Sequence, residues 1–121
     1  MKVFIDTGAL CAAIIPRDAH NQAAKSIFLA LQERRVSMFT SDYVLAELYT
    51  LLTVRSSHHT AVAYMDSFEN TGISTLLAHE VMGKEAKAIF RKYDLPRLSF
   101  TDCTSFALIN THRINHVFSF D

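Results

Sequence analysis

Lys2-Val3-Phe4-Ile5-Asp6-Thr7 is the stretch of sequence that decides the fold. Its apolar centre, residues 3–5, is rich in β-forming side chains and ends at the carboxylate of Asp6, with Gly8 close behind. Such a short apolar run predicts a strand buried on both faces, as the strands of parallel sheets are. Ligands of parallel sheets bind just outside the carboxyl ends of the strands. Asp6 is therefore predicted to stand at the edge of the sheet where a ligand would bind.

Short β-prone runs and amphipathic segments alternate along the rest of the chain. We expect further strands over residues 36–40, 73–77 and 117–121, and helices over residues 7–15, 60–69 and 79–92. Other helices should begin at a cap: Asp18 for one, Ser41 or Asp42 for the next, and Ser99 or Thr101 for the last. Gly72 is a predicted helix stop. Strand and helix in alternation predict an α/β fold with a mainly parallel sheet.

Length and composition indicate one compact domain. The chain has 121 residues, half of them hydrophobic and one fifth charged, and twelve basic residues balance twelve acidic ones. A neutral total removes the argument for nucleic-acid binding from bulk charge, although a local basic rim remains compatible with it. Cys11 and Cys103 have neither disulfide nor metal spacing, so we expect reduced, packed thiols in a cytoplasmic protein. No signal peptide or membrane-spanning run is predicted.

Four carboxylates are predicted to reach the same edge of the sheet. Asp6 and Asp121 follow apolar strands, Asp102 lies at the start of a helix, and Glu47 lies in the first two turns of another. Because Glu47 interrupts an apolar run, we expect it to be buried and to need a partner or an ion. Four acids close together would repel one another, and a hard cation such as Mg²⁺ or Mn²⁺ relieves that repulsion.

Each of these acids also has an ordinary structural interpretation. An Asp after a strand is commonly a turn former or a helix cap. Asp102 could be an acid of the first helical turn, which the helix dipole favours. The sequence alone leaves both interpretations open for each Asp.

Four segments together resemble the acidic motifs of the PIN domain family. They are residues 4–10 around Asp6, residues 40–48 around Glu47, residues 98–103 around Asp102, and residues 117–121 ending at Asp121. The resemblance runs in order through essentially the whole chain. It implies a three-layer α/β/α fold with a mainly parallel central sheet of four to five strands, in a single domain over residues 1–121.

The resemblance also implies a function. Members of this family are metal-dependent nucleases acting on RNA, and Asp6, Glu47, Asp102 and Asp121 match the acidic quartet that holds Mg²⁺ or Mn²⁺. Thr7 and Thr101 match supporting hydroxyl positions beside two of the acids. Many small members are VapC-type toxins, which a cognate antitoxin inhibits and which often form homodimers. The family usually continues beyond the position of Asp121, so we expect either a sheet without its outer strand or a chain shortened at its C-terminal end.

The mechanism expected for such a site is hydrolysis of a phosphodiester by a water that the cation activates, attacking phosphorus in line. Asp6 and Asp102 are the expected direct ligands, and Glu47 and Asp121 are expected to act through water or at a second ion. Arg55 and Arg97 are candidate contacts for the RNA backbone. A neutral net charge predicts few phosphate contacts and a shallow salt dependence of binding.

Two other classes of protein remain as alternatives. A phosphatase with Asp6 as nucleophile would need a second acid two residues later or a late lysine, but position 8 is Gly and no lysine follows Lys92. A catalytically weak binding module with a nuclease-like fold would act through protein or RNA partners, using its apolar helices as a surface. Metal-stimulated RNA cleavage distinguishes the nuclease from that module.

Overall fold

The fold alternates strands and helices around one sheet, as a computed structural model covering residues 1–120 describes it. In chain order the elements are β1 (Lys2–Ile5), α1 (Thr7–Ile14), α2 (Asn21–Glu33), β2 (Ser37–Ser41), α3 (Asp42–Arg55), α4 (His58–Ser67), a 3-10 turn (Phe68–Thr71), β3 (Ile73–Leu76), α5 (His79–Met82), α6 (Glu85–Lys92), α7 (Phe100–Thr111) and β4 (His116–Phe118). The α/β class predicted from the sequence is confirmed.

The sheet has the strand order β3-β2-β1-β4, and every pair of neighbours is parallel. The register places Phe4 of β1 opposite Phe39 of β2 and Val117 of β4. The hydroxyl of Thr40 donates to the carbonyl of Ile5 over 2.9 Å, which ties the carboxyl ends of β1 and β2 together. Since all four strands run the same way, their carboxyl ends meet at one edge of the sheet.

Two groups of buried residues surround the sheet. The larger cluster joins β1 to α1 through α4, and its fully buried members include Phe4, Leu48 and Leu52. The smaller one lies among α5, α6 and α7 and packs against Leu76 of β3. This arrangement agrees with the predicted three layers. Among the helices of residues 1–120, none is long and apolar enough to cross a membrane.

Several predicted boundaries are wrong. Asp18 does not cap α2, which begins only at Asn21, because its carboxylate accepts a hydrogen bond from the His20 backbone N–H and pairs with Arg55. The single helix expected over residues 79–92 is divided into α5 and α6, since the non-helical backbone of Lys84 interrupts it. The last strand ends at Phe118. Asp121, the predicted fourth acid, lies outside the described residues.

Caps explain where other helices begin. Ser41 and Ser99 cap α3 and α7 as predicted, each accepting a hydrogen bond from a backbone N–H of the first turn. Ser57 caps α4 in the same way, so that helix starts at His58 and not at residue 60.

The connections that lead from a helix into β2, β3 and β4 share a left-handed residue. These residues are Arg35 (φ 54°), Gly72 (φ 77°) and Arg113 (φ 53°). Gly72 ends the 3-10 turn, which confirms the predicted stop. All three lie at the amino ends of strands, on the edge of the sheet opposite the carboxylates.

Candidate functional site

Asp6 joins β1 to α1 at the carboxyl edge of the sheet. Its backbone N–H donates to the carbonyl of Phe118 over 3.1 Å, which anchors it to β4. One carboxylate oxygen, Oδ1, accepts the backbone N–H of Thr7 over 2.8 Å, so Asp6 is the N-cap of α1. The other, Oδ2, accepts the hydroxyl of Ser119 over 3.2 Å. The half-buried carboxylate is thus oriented at the edge, and capping is compatible with a further role.

Asp102 is held by the start of α7. The Ser99 hydroxyl accepts the Asp102 backbone N–H, and Oδ2 of Asp102 accepts the Ser99 backbone N–H, each over 3.0 Å. This reciprocal pair is a capping box. It occupies one of the two carboxylate oxygens of Asp102 and fixes the direction of the group. The structural interpretation of Asp102 is therefore correct, and it does not remove the group from the site.

Glu47 lies on α3 and departs from its predicted environment. It is exposed, not buried, because the helical turn directs its apolar neighbours Val44 and Leu48 into the core and leaves Glu47 outside. Its pKa is nevertheless raised, first by partial desolvation and then by the negative charges of Asp102 and Asp6. Three acids from three separate elements therefore interact electrostatically at one place.

A cavity of about 940 Å³ opens at this place. Asp6 and Asp102 both line it, and so does Arg97, which the sequence proposed as a substrate contact. A separate cavity of about 440 Å³ lies between α1, α2 and Tyr64, and its lining contains no carboxylate. The chemistry expected of the acids therefore belongs to the cavity beside Arg97, which we call the carboxylate cleft.

The predicted threonines lie beside the acids, whereas Arg55 does not. Thr7 is the first residue of α1 and follows Asp6. Thr101 is the second residue of α7 and precedes Asp102. Arg55 lies eight residues beyond Glu47, or about 12 Å along α3. Its guanidinium bonds to Asp18 over 2.8 Å. That ion pair accounts for Arg55 without a substrate, and the structure does not bring it to the carboxylate cleft.

The cleft contains two serines that the sequence does not identify as site residues. Ser119 reaches Asp6, as described above, and its only sequence signal is a hydroxyl two residues before Asp121. Ser105 lines the cleft one helical turn after Asp102. It is 6% exposed, and its hydroxyl oxygen has no hydrogen-bond partner within residues 1–120. The i, i+3 spacing from Asp102 could have indicated it.

The donor set of the cleft suits a hard divalent cation held partly by water. Among residues 1–120, no group of three His, Cys, Asp or Glu side chains is arranged to hold a metal ion. Mg²⁺ does not need such a cage, since proteins usually bind it through one or two carboxylates while it keeps several waters. Asp6 and Asp102 provide carboxylate oxygens, and a cation between the acids would offset the repulsion that, after desolvation, raises the pKa of Glu47.

Comparison with known proteins gives a consistent result. The model of the PIN domain family matches residues 3–121. The 23S rRNA-specific endonuclease VapC20 of Mycobacterium tuberculosis, in strains CDC 1551 and H37Rv, is 29% identical over 119 residues, which are 98% of this chain and 88% of that protein. The crystal structure of M. tuberculosis VapC20, described as a sarcin-ricin loop cleaving toxin, superposes with a TM-score of 0.84 at 29% identity, covering 98% of this chain and 89% of the other. The chain therefore belongs to the PIN domain family.

Proposed function

We propose that this protein is a Mg²⁺- or Mn²⁺-dependent endoribonuclease and the toxin of a toxin–antitoxin pair. The observation that supports this most is the convergence of acids: Asp6 and Asp102 line one cleft, and the pKa of Glu47 is raised by desolvation and then by the charges of Asp102 and Asp6. A protein gains no stability from like charges brought together in this way. The arrangement is explained if a cation binds among them during function.

Each residue of the predicted site has a role in the proposed reaction. Asp6 and Asp102 would hold the cation directly, while Glu47 and Asp121 would act through water or at a second ion. When bound, the cation supplies an activated water and neutralises charge on the phosphate. Ser119 and the Thr7 backbone N–H keep Asp6 oriented. Arg97, on the wall of the cleft, holds the phosphate by its charge.

The partners proposed here follow from the relatives. RNA is the substrate, since VapC20 is named as a 23S rRNA-specific endonuclease and a sarcin-ricin loop cleaving toxin. A cognate antitoxin protein and a homodimer, both acting in the cytoplasm, complete the proposal. An RNA hairpin containing the sarcin-ricin loop is accordingly the first substrate to test.

The test is cleavage of that hairpin by the purified protein, with Mg²⁺ or Mn²⁺ and then with excess chelator. We expect the dication to be required for cleavage, and Asp6→Asn to lose it while circular dichroism shows the fold retained. Asp18→Asn is the matched control, because it removes an acid of the same type that lies outside the cleft and pairs with Arg55. Full cleavage by Asp6→Asn, or cleavage unaffected by chelator, would overturn the proposal.

A binding module is the second candidate function. Val54 on α3 and Met65 on α4 are exposed apolar side chains, 76% and 47% accessible, which such a module could offer to a protein partner. The same assay separates the two, because a binding module would retain RNA or protein without cleaving RNA at any dication concentration.

A further inference from the structure

A second cavity adjoins the carboxylate cleft. It measures about 450 Å³ and lies between the end of α6, the segment that follows it, and the outer face of α7. We call it the aromatic cavity, and its lining residues are Ile89, Tyr93, Leu95, Leu98, Phe106 and Asn110. Phe106 also lines the carboxylate cleft, so its ring forms part of the wall of both spaces.

Large apolar side chains of this cavity are exposed to solvent. Tyr93 and Phe106 are each 47% accessible, and Leu95 is 58% accessible. A single exposed apolar residue is ordinary, whereas several that surround one concave space indicate a binding surface.

Polar and cationic groups accompany these apolar side chains. Asn110 adds an amide, which can both donate and accept hydrogen bonds, to the lining. The ammonium of Lys92 lies 5.3 Å from the centre of the Tyr93 ring. Arg97 stands between the two aromatic positions in sequence and lines the neighbouring cleft. Aromatic faces beside cations are the combination that proteins use to bind unpaired nucleotides.

We propose that the aromatic cavity binds one unpaired base of the RNA strand whose phosphate lies at the carboxylates. The proposal rests on the proposed function and adds a base-binding subsite to it. The base stacks on Tyr93 or Phe106, and Asn110 bonds to its edge. The ribose-phosphate backbone then passes Arg97 from one space to the other.

Charge and continuity favour RNA over a protein as the occupant. The cationic groups, Lys92 and Arg97, complement phosphate. The cavity also shares Phe106 with the cleft in which the proposed reaction occurs, so a strand bound there reaches the aromatic cavity without leaving the surface. A second copy of the chain or another protein remains an outcome of the test below.

The test is a double-mutant cycle on the affinity of the protein for RNA, measured by fluorescence anisotropy. A chelator is present so that no RNA is cleaved. One partner of the cycle is Tyr93→Ala, and the other is a set of short single-stranded RNAs, each with one abasic position. Tyr93→Phe keeps the ring. Phe90→Ala is the matched control, because Phe90 is an exposed ring near the end of α6, three residues before Tyr93, and it packs on Phe100 outside the cavity lining.

We expect Tyr93→Ala to weaken binding on the order of tenfold, the loss expected for one stacked base. The loss should disappear on the RNA that is abasic at one particular position, and Tyr93→Phe and Phe90→Ala should bind as the parent does. Equal losses on intact and abasic RNA, or no binding of RNA at all, would overturn the subsite. So would a dimer of the parent that Tyr93→Ala dissociates in light scattering. Absence of cleavage when Mg²⁺ is restored, with the base-dependent loss intact, would instead refute only the proposed nuclease function.

Discussion

The two ends of α3 carry opposite electrostatic situations. In its amino-terminal half, the pKa of Glu47 is raised by desolvation and then by the charges of Asp102 and Asp6. At its carboxyl end, Arg55 pairs with Asp18, whose pKa is lowered by the hydrogen bond from the His20 backbone and then by the Arg55 side chain. The Asp18 carboxylate thus has an oppositely charged partner within the protein, whereas the charges of Asp102 and Asp6 add to the desolvation that raises the pKa of Glu47.

If the proposed function is correct, this difference separates charges that stabilise the fold from charges that bind the cation. The pair between Asp18 and Arg55 joins the end of α3 to the segment after α1, and it needs nothing from outside the protein. In the proposed function, the acids of the carboxylate cleft also bind a cation. Neutralising the acid associated with each end of α3 should therefore change cation binding and pH-dependent stability differently at the two ends.

The largest expected effect is on catalysis, from Asp102→Asn. An amide oxygen can still accept the Ser99 backbone N–H, so α7 should keep its capping box, while the charge that holds the cation is lost. We expect RNA cleavage to fall on the order of a thousandfold, the scale of several kcal/mol of transition-state stabilisation. Urea unfolding should show nearly parental stability. A variant that unfolds easily yet cleaves normally would assign Asp102 a purely structural role.

A smaller loss of cleavage is expected from Ser119→Ala. Removing the hydroxyl that donates to Asp6 leaves the acid in place but less well oriented. Groups that orient a metal ligand typically contribute about 10-fold to 100-fold to metal affinity or activity. The deficit should shrink as Mg²⁺ is raised if it lies in cation affinity, which a titration of rate against Mg²⁺ measures. Parental rates at every Mg²⁺ concentration would show that Ser119 does not orient the site.

Mg²⁺ should stabilise the folded protein through one end of α3 only. A ligand that binds only the folded state raises the free energy of unfolding by about 2.7 kcal/mol at a hundred times its Kd. Thermal unfolding should shift upward by several degrees. The shift should be reduced in Glu47→Gln and unchanged in Asp18→Asn. An equal response in both variants would show that the cation binds elsewhere.

The smallest expected effects are those of pH on the free energy of unfolding. Glu47 and Asp18, associated with the two ends of α3, should make that free energy change with pH in opposite directions. Because the pKa of Glu47 is raised, the folded state keeps its proton longer, and this group lowers the free energy of unfolding as pH rises from its ordinary pKa to the raised value. The lowered pKa of Asp18 stabilises the folded state above the ordinary pKa, and that contribution is lost as pH falls through the lowered value.

Urea unfolding in metal-free buffer, followed as a function of pH across the acidic range, measures both slopes. Glu47→Gln should remove the fall in the free energy of unfolding as pH rises, and Asp18→Asn should remove the rise. Each change should stay below about 1 kcal/mol, because Glu47 and Arg55 are exposed and solvent screens their charges. Slopes of the same sign would contradict the electrostatic difference between the two ends.

The sequence predicts the fold better than it predicts side-chain environments. Strands, caps such as Ser41 and Ser99, and the stop at Gly72 depend on local chemistry, and these predictions are confirmed. The cap at Asp18 was wrong because a partner 37 residues away, Arg55, engages its carboxylate. No local pattern reveals such a contact.

The site shows the same limit. Glu47 was expected to be buried because its neighbours in sequence are apolar, but helical geometry separates neighbours onto different faces. The contact from Ser119 to Asp6 joins residues 113 positions apart, so only the pairing of β4 with β1 reveals it. The ligand roles of Asp6, Glu47, Asp102 and Asp121 remain predictions that the experiments above examine.

The left-handed residues at Arg35, Gly72 and Arg113 have a practical consequence for anyone handling this protein. Each lies in the connection between a helix and the strand that follows it, and all three connections lie on the side of the molecule opposite the acids. Tethers, dyes or affinity tags grafted at these connections would lie on the side of the protein opposite the acids. They should therefore leave the RNA of the proposed function unobstructed.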